Sequence, residues 1–420
     1  MKVAYITSQF PVPSETFAAT DIRELRRRGV EVEVYGYRPN RPDHRQLLAQ
    51  RGLVDLPVYN CGPARQLNGL LQALRRPLLL SGLLRWLVRH EWPRPAKLMR
   101  ALLLVPAFFY VFARLRRSRP AVVHLFWGQY TGLLGWLLRR GKWQPHLSMF
   151  LGAHDLVARL NISADIAGRA DSLFTHARAN LPALREMGID VERVTVVHRG
   201  VDTDWVEQAA SEEAMSDRDS QGERADQPDR LDATSGQPAK EPGLIVAAGR
   251  LQPYKGFDDV LRVLALLQNR IPEARLEIYG DGPDLRRLKE LASALGITES
   301  VKFCGHVAHG QVIRRIAAAP LFLFMSRHDG ERLPNAVKEA MFCRCVCITT
   351  ITPGIEELID HGSTGYIVEQ GDVPTAAQYA VTALSADTPQ MPAAARHAIL
   401  TRFSVRTAMQ RYVERWNGGP

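Results

Sequence analysis

The chain has 420 residues, 46% of them apolar, and carries 54 Lys+Arg against 44 Asp+Glu for a formal charge of +10. That length exceeds what one ordinary hydrophobic core serves, so two domains are expected, with the apolar content of a soluble globular protein. The charge is skewed: residues 1–200 hold 30 Lys+Arg and 14 Asp+Glu, a balance of +16, leaving −6 for the rest. Almost all of that excess is arginine, which fits either a GC-rich coding bias or an anionic partner such as a phospholipid surface, a lipid phosphate or nucleic acid. The five cysteines, Cys61, Cys304, Cys343, Cys345 and Cys347, include no C-x-x-C pair. An odd count without a secretory signal predicts reduced thiols and a cytosolic setting. The Cys-x-Cys-x-Cys run at 343–347 is expected to alternate in and out of a strand.

In chain order, residues 1–8 lack the long apolar region and cleavage site of a signal peptide and read as a strand. Residues 18–28 have helical spacing, Gly29 ends that helix, and residues 30–35 form a second strand, an order that predicts a parallel sheet with right-handed crossover. Further strands are expected at 121–125, 147–151, 172–175 and 194–197, which makes 1–204 one doubly wound domain. Residues 66–117 stand apart as leucine-rich helices studded with Arg75, Arg76, Arg85, Arg89, Arg94, Lys97, Arg100, Arg114, Arg116 and Arg117. Their most apolar piece, 101–113, is 13 residues long and contains Pro106, against roughly 20 residues for a membrane span, so no span is expected. Two readings stay open: a basic amphipathic hairpin on an anionic bilayer, or two core-packing helices with basic outer faces.

From 205 to 242 serine, aspartate, glutamine and arginine dominate, and this stretch is expected to be a disordered insertion in the interdomain linker. Regular alternation resumes with strands at 244–248, 275–279, 301–303, 321–325 and 346–349 and helices at 257–268, 284–295, 310–318 and 334–342. This predicts a second doubly wound domain over 243–403. A last amphipathic helix within 404–420 could pack back on the first domain.

The chemistry concentrates in the second half. Gly249-Arg-Leu-Gln-Pro-Tyr-Lys-Gly256 lies between a strand and a helix, the ligand-facing end of a parallel sheet, where Arg250 and Lys255 could clamp a diphosphate. Gly280-Asp-Gly-Pro283 follows the next strand but lacks G-x-G-x-x-G spacing, and a turn capped by Asp281 or Asp284 is the simpler reading. Asp329-Gly-Glu-Arg-Leu-Pro-Asn-Ala-Val-Lys-Glu339 places two glutamates around a helix start, with Pro334 in the first turn and free N–H groups at 331–335. Such a terminus seats phosphate, and carboxylates beside it suit hydroxyls, a combination that a nucleotide sugar would satisfy.

Arg250…Lys255-Gly256-Phe257, Gly280-Asp-Gly-Pro283, Val301-x-Phe303-x-Gly305, Glu331…Glu339 and Val197-His-Arg-Gly-Val-Asp202 together resemble the retaining, two-Rossmann-domain (GT-B) glycosyltransferases of family 4. The resemblance implies an α/β fold of two Rossmann-like domains facing across a cleft, and a metal-independent transfer of sugar from a UDP- or GDP-linked donor without any cofactor. By the same resemblance Arg250 and Lys255 neutralise the diphosphate, Glu339 holds the ribose hydroxyls, and Glu331 approaches the sugar. The backbone of Gly330, Arg332, Leu333 and Pro334 lies near the phosphates, Gly280 and Gly282 border the donor, and His154 of Gly152-Ala-His-Asp155 contacts the sugar. Gly200 and Asp202 are structural in this reading. The loop Pro13-Ser-Glu-Thr16 replaces the paired glycines of many members and resembles a bacterial exopolysaccharide and colanic-acid-type subgroup, making Ser14, Glu15 and Thr16 candidates for phosphate or acceptor contact. Cys345 stands where a glycine commonly follows the helix. The implied partners are a nucleotide-sugar donor, a glycan or lipid-linked acceptor and an anionic membrane surface at 66–117, in a cytoplasmic enzyme peripheral to the inner membrane. Competing readings are a nucleotide-sugar epimerase on the same architecture and a basic nucleic-acid-binding protein. The second leaves the second-domain motifs unexplained, so no nucleic acid is expected as a partner.

Overall fold

The computed structural model describes residues 1–12, 16–211, 239–385 and 390–418, with the backbone alone for Ala153 and His154. Candidate residues Ser14 and Glu15 and most of the expected insertion, 212–238, lie outside the described residues. The chain divides into two compact units, residues 1–199 with the segment from Val405 on, and Gly200–Ser404.

The first unit is a parallel seven-stranded sheet of β1 Lys2–Thr7, β2 Glu31–Gly36, β3 Val58–Asn60, β4 Val122–Phe126, β5 His146–Phe150, β6 Ser172–Thr175 and β7 Val194–Val196. Their spatial order is β3-β2-β1-β4-β5-β6-β7. The β4 strand (VVHLF) is buried at every position, as strands covered on both faces must be. The leucine-rich stretch is helical as expected but forms three helices, Pro63–Leu74, Pro77–Glu91 and Pro95–Ser118. The last is a single 24-residue helix that runs through Pro106. Proline forfeits one helical hydrogen bond, and the burial of Phe108, Phe109, Phe112 and Leu115 in the core offsets that loss.

The terminal helix Val405–Trp416 belongs to the first unit and packs on the Thr16–Arg27 helix. Trp416 Nε1 donates to Ser148 Oγ at 2.8 Å, and Ser148 Oγ lies 2.8 Å from His124 Nδ1. A hydroxyl that accepts from Trp416 has its own proton to give to His124, which favours a neutral imidazole. Burial, helped by Arg199, depresses the His124 pKa to about 3.

The second unit is a parallel six-stranded sheet of β8 Leu244–Ala248, β9 Arg275–Tyr279, β10 Val301–Gly305, β11 Leu321–Phe324, β12 Val346–Thr350 and β13 Tyr366–Val368. Its order, β10-β9-β8-β11-β12-β13, reverses direction between β8 and β11. Two expectations need correction here. Residues 205–211 are not linker: they complete the helix Thr203–Ser211, which buries Val206, Ala209 and Ala210 and is capped by Asp202 Oδ1 accepting from Trp205 N–H at 3.2 Å. The cysteine run does not alternate along a strand either. Cys343 ends the Asn335–Phe342 helix, Arg344 turns the chain at φ 60°, and only Cys347 lies in β12, with all three thiols buried.

Lys240 is half-buried where the description resumes, and its ammonium donates to the carbonyls of Ala317, Ala319 and Cys343 at 2.7–2.9 Å. One cation therefore satisfies the C-terminal ends of the His309–Ala318 and Asn335–Phe342 helices, where carbonyls lack helical partners and the helix dipole favours positive charge.

Candidate active site

In a doubly wound sheet the crevice opens where the strand order reverses, at the carboxyl ends of the two central strands. In the second unit these are β8 and β11, and a small cavity there is lined by Gly249, Lys255, Phe257, Leu323, Phe324 and Met325. The two loops meet because Gly256 has no side chain. At φ 68° it occupies the left-handed region, and a Cβ built on it would lie 1.8 Å from the Met325 carbonyl oxygen.

The structure pairs two residues that the sequence assigns separate tasks. Lys255 Nζ forms an ion pair with Glu331 Oε2, both side chains being less than a fifth exposed. The ammonium also sits 5.7 Å from the Phe324 ring centroid. Arg250 is exposed at the end of β8 and pairs with no carboxylate among the described residues. A latch invisible to motif reading holds the β11 loop in place. Arg327 binds Asp258 at 3.0 Å and Asp259 at 3.1 Å through its Nη2 and Nε, and its N–H donates to the Tyr254 carbonyl at 2.8 Å. Burial works to raise the Asp258 carboxyl, but Arg327 and Arg262 outweigh it and hold the group below its ordinary value.

The helix after this loop starts one residue later than expected, at Asn335, with Pro334 as its N-cap at φ −62° and ψ 133°. The Pro334 carbonyl accepts the first helical bond, from Lys338 N–H at 3.2 Å. The N–H groups at 331–335 are therefore not all free. Glu331 donates its own to the His328 carbonyl at 2.8 Å, Pro334 has none, and the groups without a carbonyl one turn earlier are those of the first helical residues. Gly330 N–H donates to His328 Nδ1 at 3.4 Å, and Arg332 folds back on the Asp329 carbonyl. Leu333 is buried at φ 23°, a conformation costly for a residue with a side chain. About one turn into the helix, Glu339 lies 3.2 Å from His309 Nε2, whose ring packs on Trp205 at 4.6 Å. Sequence reading names neither His309 nor Trp205, since they come from other elements.

Gly280 and Gly282 serve close backbone packing. Cβ atoms there would lie 1.8 Å from the Gly249 carbonyl and 2.2 Å from the Leu251 carbonyl, so this turn presses directly on the Arg250 loop. Asp284 takes the N-cap position but gives its carboxylate to Arg287 at 2.6 and 2.7 Å, while Asp281 accepts from Gly282 N–H at 2.7 Å.

The first unit holds the remaining candidates. Thr16 is exposed and opens the Thr16–Arg27 helix. His154 is the second residue of the Ala153–Ala158 helix. Its neighbour Asp155 is buried, accepts from Gly152 N–H at 2.8 Å and Gln129 N–H at 3.0 Å, and so ties the turn before His154 to the loop after β4. Burial pushes the Asp155 carboxyl up to about 7 against those backbone donors. Arg199 stands over Phe17, Phe126 and Phe150 at 3.9–4.6 Å from their centroids, a cation–π cage assembled from separate elements that no local spacing could announce.

Comparison with known families agrees with this layout. The family model for Glycosyl transferases group 1 matches residues 230–398, and that for Glycosyltransferase Family 4 matches 14–205. The chain is a group 1 glycosyltransferase. This glycosyltransferase is 23% identical to the amylovoran biosynthesis glycosyltransferase AmsK of Erwinia amylovora over 99% of its own length and 98% of that protein. It is 33% identical over 42% of its length to a GDP-mannose-dependent alpha-(1-6)-phosphatidylinositol monomannoside mannosyltransferase of Mycolicibacterium smegmatis, of which it spans 48%. It spans 36% of an uncharacterized Haemophilus influenzae glycosyltransferase at 33% identity, so these two relatives are matched over less than half their length. Among solved structures, Anabaena Alr3699/HepE in complex with UDP matches at a TM-score of 0.70, covering 100% of both chains at 16% identity. That likeness is one of fold, and the fold is GT-B: two parallel α/β units, each wound about a central strand pair.

Proposed function

We propose that this glycosyltransferase moves a sugar, with retention of anomeric configuration and without a metal ion, from a nucleotide-diphosphate sugar to a glycan or lipid-linked glycan in bacterial surface polysaccharide assembly. The observation that carries the proposal is the meeting of Lys255 and Glu331 at the β8/β11 switch point, with the exposed Arg250 on the same loop as Lys255. An ammonium has three N–H donors, so Lys255 can keep Glu331 on one and offer another to a phosphate oxygen. Glu331 is thereby held beside the diphosphate, in reach of the sugar attached to it. Arg250, Lys255 and the first N–H groups of the Asn335–Phe342 helix oppose the charge that grows on the departing diphosphate. Glu339, steadied by His309, accepts from ribose hydroxyls. His154 is the first-unit residue assigned to the transferred sugar.

A retaining displacement through a carboxylate, as glycosidases run it, uses a second carboxyl as acid and base. With Glu331 paired to Lys255 and Glu339 given to the ribose, attack by the acceptor on the face that the diphosphate leaves is the fitting route. AmsK, similar over nearly the whole chain, supports the polysaccharide context, and Anabaena structures holding UDP and UDP-glucose support a nucleotide-sugar donor. Cytoplasmic residence at the inner membrane, where such donors and lipid-linked acceptors meet, belongs to the same proposal. The test is a panel of UDP- and GDP-sugars scored by thermal stabilisation and donor turnover in the presence of a chelator. Response to one donor, lost in Lys255→Ala and Glu339→Ala but kept on deleting 212–238, is expected. Stabilisation by no nucleotide sugar would overturn the proposal, and conversion of the donor sugar without an acceptor would favour an epimerase.

A further inference from the structure

Between Pro63 and Arg119 the sequence holds twelve lysines and arginines and one carboxylate, Glu91. Glu91 is fully buried and accepts from Ile162 N–H at 3.1 Å, so this stretch presents no negative side chain to solvent. The Pro63–Leu74 helix within it is amphipathic the wrong way round for a globular protein. Leu67, Leu70, Leu71 and Leu74 follow one face at i, i+3, i+4 and i+7, and all four are exposed, Leu67 by 61% and Leu74 by 60%. The inward face is made of Gly69 and Ala73, and Gly69 lies so near the Pro95–Ser118 helix that a Cβ would come within 1.8 Å of the Pro106 carbonyl.

The Pro77–Glu91 helix repeats the pattern. By helical spacing Leu78, Arg85, Val88 and Arg89 share one face with Trp92 just beyond the helix, and all are exposed, Leu78 by 88% and Trp92 by 72%. Arg75, Arg85 and Arg89 pair with no carboxylate among the described residues. A protein partner would be expected to answer apolar contacts with mixed charge, whereas leucines and a tryptophan interleaved with unpaired arginines match the depth profile of a bilayer surface. Aliphatic side chains enter, indole sits at the headgroup level, and guanidinium groups reach lipid phosphates. The Pro95–Ser118 helix is long and apolar enough to cross a membrane by length and composition, yet half of its apolar window is buried. Spanning would empty the first unit's core of Phe108, Phe109 and Phe112. Contact therefore falls to the outward faces of the two shorter helices.

We propose that the Pro63–Leu74 and Pro77–Glu91 helices dock the first unit on an anionic bilayer surface, without spanning it. The proposal is independent of the transfer reaction, since binding is read without donor or acceptor. Full-length protein is sedimented at physiological salt with vesicles of phosphatidylglycerol and phosphatidylethanolamine, and separately with vesicles of phosphatidylcholine alone. Binding to the anionic vesicles is expected to be about tenfold tighter or more. Leu70→Glu/Leu74→Glu and Arg85→Glu/Arg89→Glu should each lose about tenfold or more of it, with unchanged thermal unfolding because all four positions are exposed. Wild-type protein that stays in the supernatant, or variants that bind as wild type does, would overturn the proposal. So would a dimer by sedimentation velocity that Leu70→Glu/Leu74→Glu converts to monomer while vesicle binding is absent, because a second copy would then be the occupant.

Discussion

Gly256→Ala separates the two reasons a glycine can be required at the meeting point of the β8 and β11 loops. Gly296 provides the control: it sits in the same unit at φ 70°, against 68° for Gly256, but a Cβ on Gly296 meets nothing within 4 Å. Alanine at Gly296 therefore bears only the left-handed backbone penalty, about 1 kcal/mol after the entropy lost from the unfolded chain is credited. Alanine at Gly256 bears the same penalty and in addition drives its Cβ to 1.8 Å from the Met325 carbonyl oxygen, where contacts under 3.0 Å are essentially unknown. The loops must part by more than an ångström, a distortion worth about 1–3 kcal/mol by the record of overpacked cores. Urea unfolding of the two variants should thus differ by about 2 kcal/mol, with Gly256→Ala the weaker. Because the parting loops carry Lys255 and the residues leading to Glu331, nucleotide-sugar binding should fall in Gly256→Ala and survive in Gly296→Ala. Equal stability losses, or full donor binding in Gly256→Ala, would refute the claim that this glycine holds the site together.

Lys240→Met keeps the aliphatic stem and removes the ammonium that satisfies three carbonyls, so equilibrium unfolding should show a loss of about 2–4 kcal/mol. His124 titrates at about 3 in the folded chain against about 6.5 unfolded, so below 6.5 the unfolded state binds the extra proton. The stability tied to a neutral His124 is thus complete above pH ~6.5 and is lost as pH falls, about 2 kcal/mol of it by pH 5. The stability difference between wild type and His124→Gln should shrink by that amount between pH 7 and pH 5. Taking the difference cancels the opposing contribution of Asp155, whose raised pKa makes its own effect run the other way.

The two doubly wound units were legible because buried parallel strands read as nearly continuous apolar runs: Leu244–Ala248 is apolar throughout, Val122–Phe126 is interrupted only by His124, and both are buried at every position. The edge strands Val58–Asn60 and Tyr366–Val368, three residues long and half-buried at two of them, escaped, whereas the equally short Val194–Val196 did not. The 13-residue apolar piece around Pro106 understated its element, because the aromatic residues after the proline secure a 24-residue helix by tertiary packing. Arg344 escaped notice because a left-handed non-glycine residue has no sequence signature, and its turn after the helix end at Cys343 takes the cysteine run out of a strand. At the site, motif order named Lys255, Glu331 and Glu339, but the Lys255–Glu331 pair joins residues 76 apart. The Arg327 latch, the His309–Trp205 support and the Arg199 cage likewise depend on topology, which no window of sequence contains.

The proposed reaction is metal-independent sugar transfer with retention, driven by the cations and helix terminus around the β8/β11 switch point. Its most direct test is proton NMR of the anomeric centre formed from an α-linked nucleotide sugar in excess chelator, with acceptor present. An α-linked product at undiminished rate is the predicted result, whereas a β-linked product, or turnover that stops until a divalent cation is restored, would contradict it.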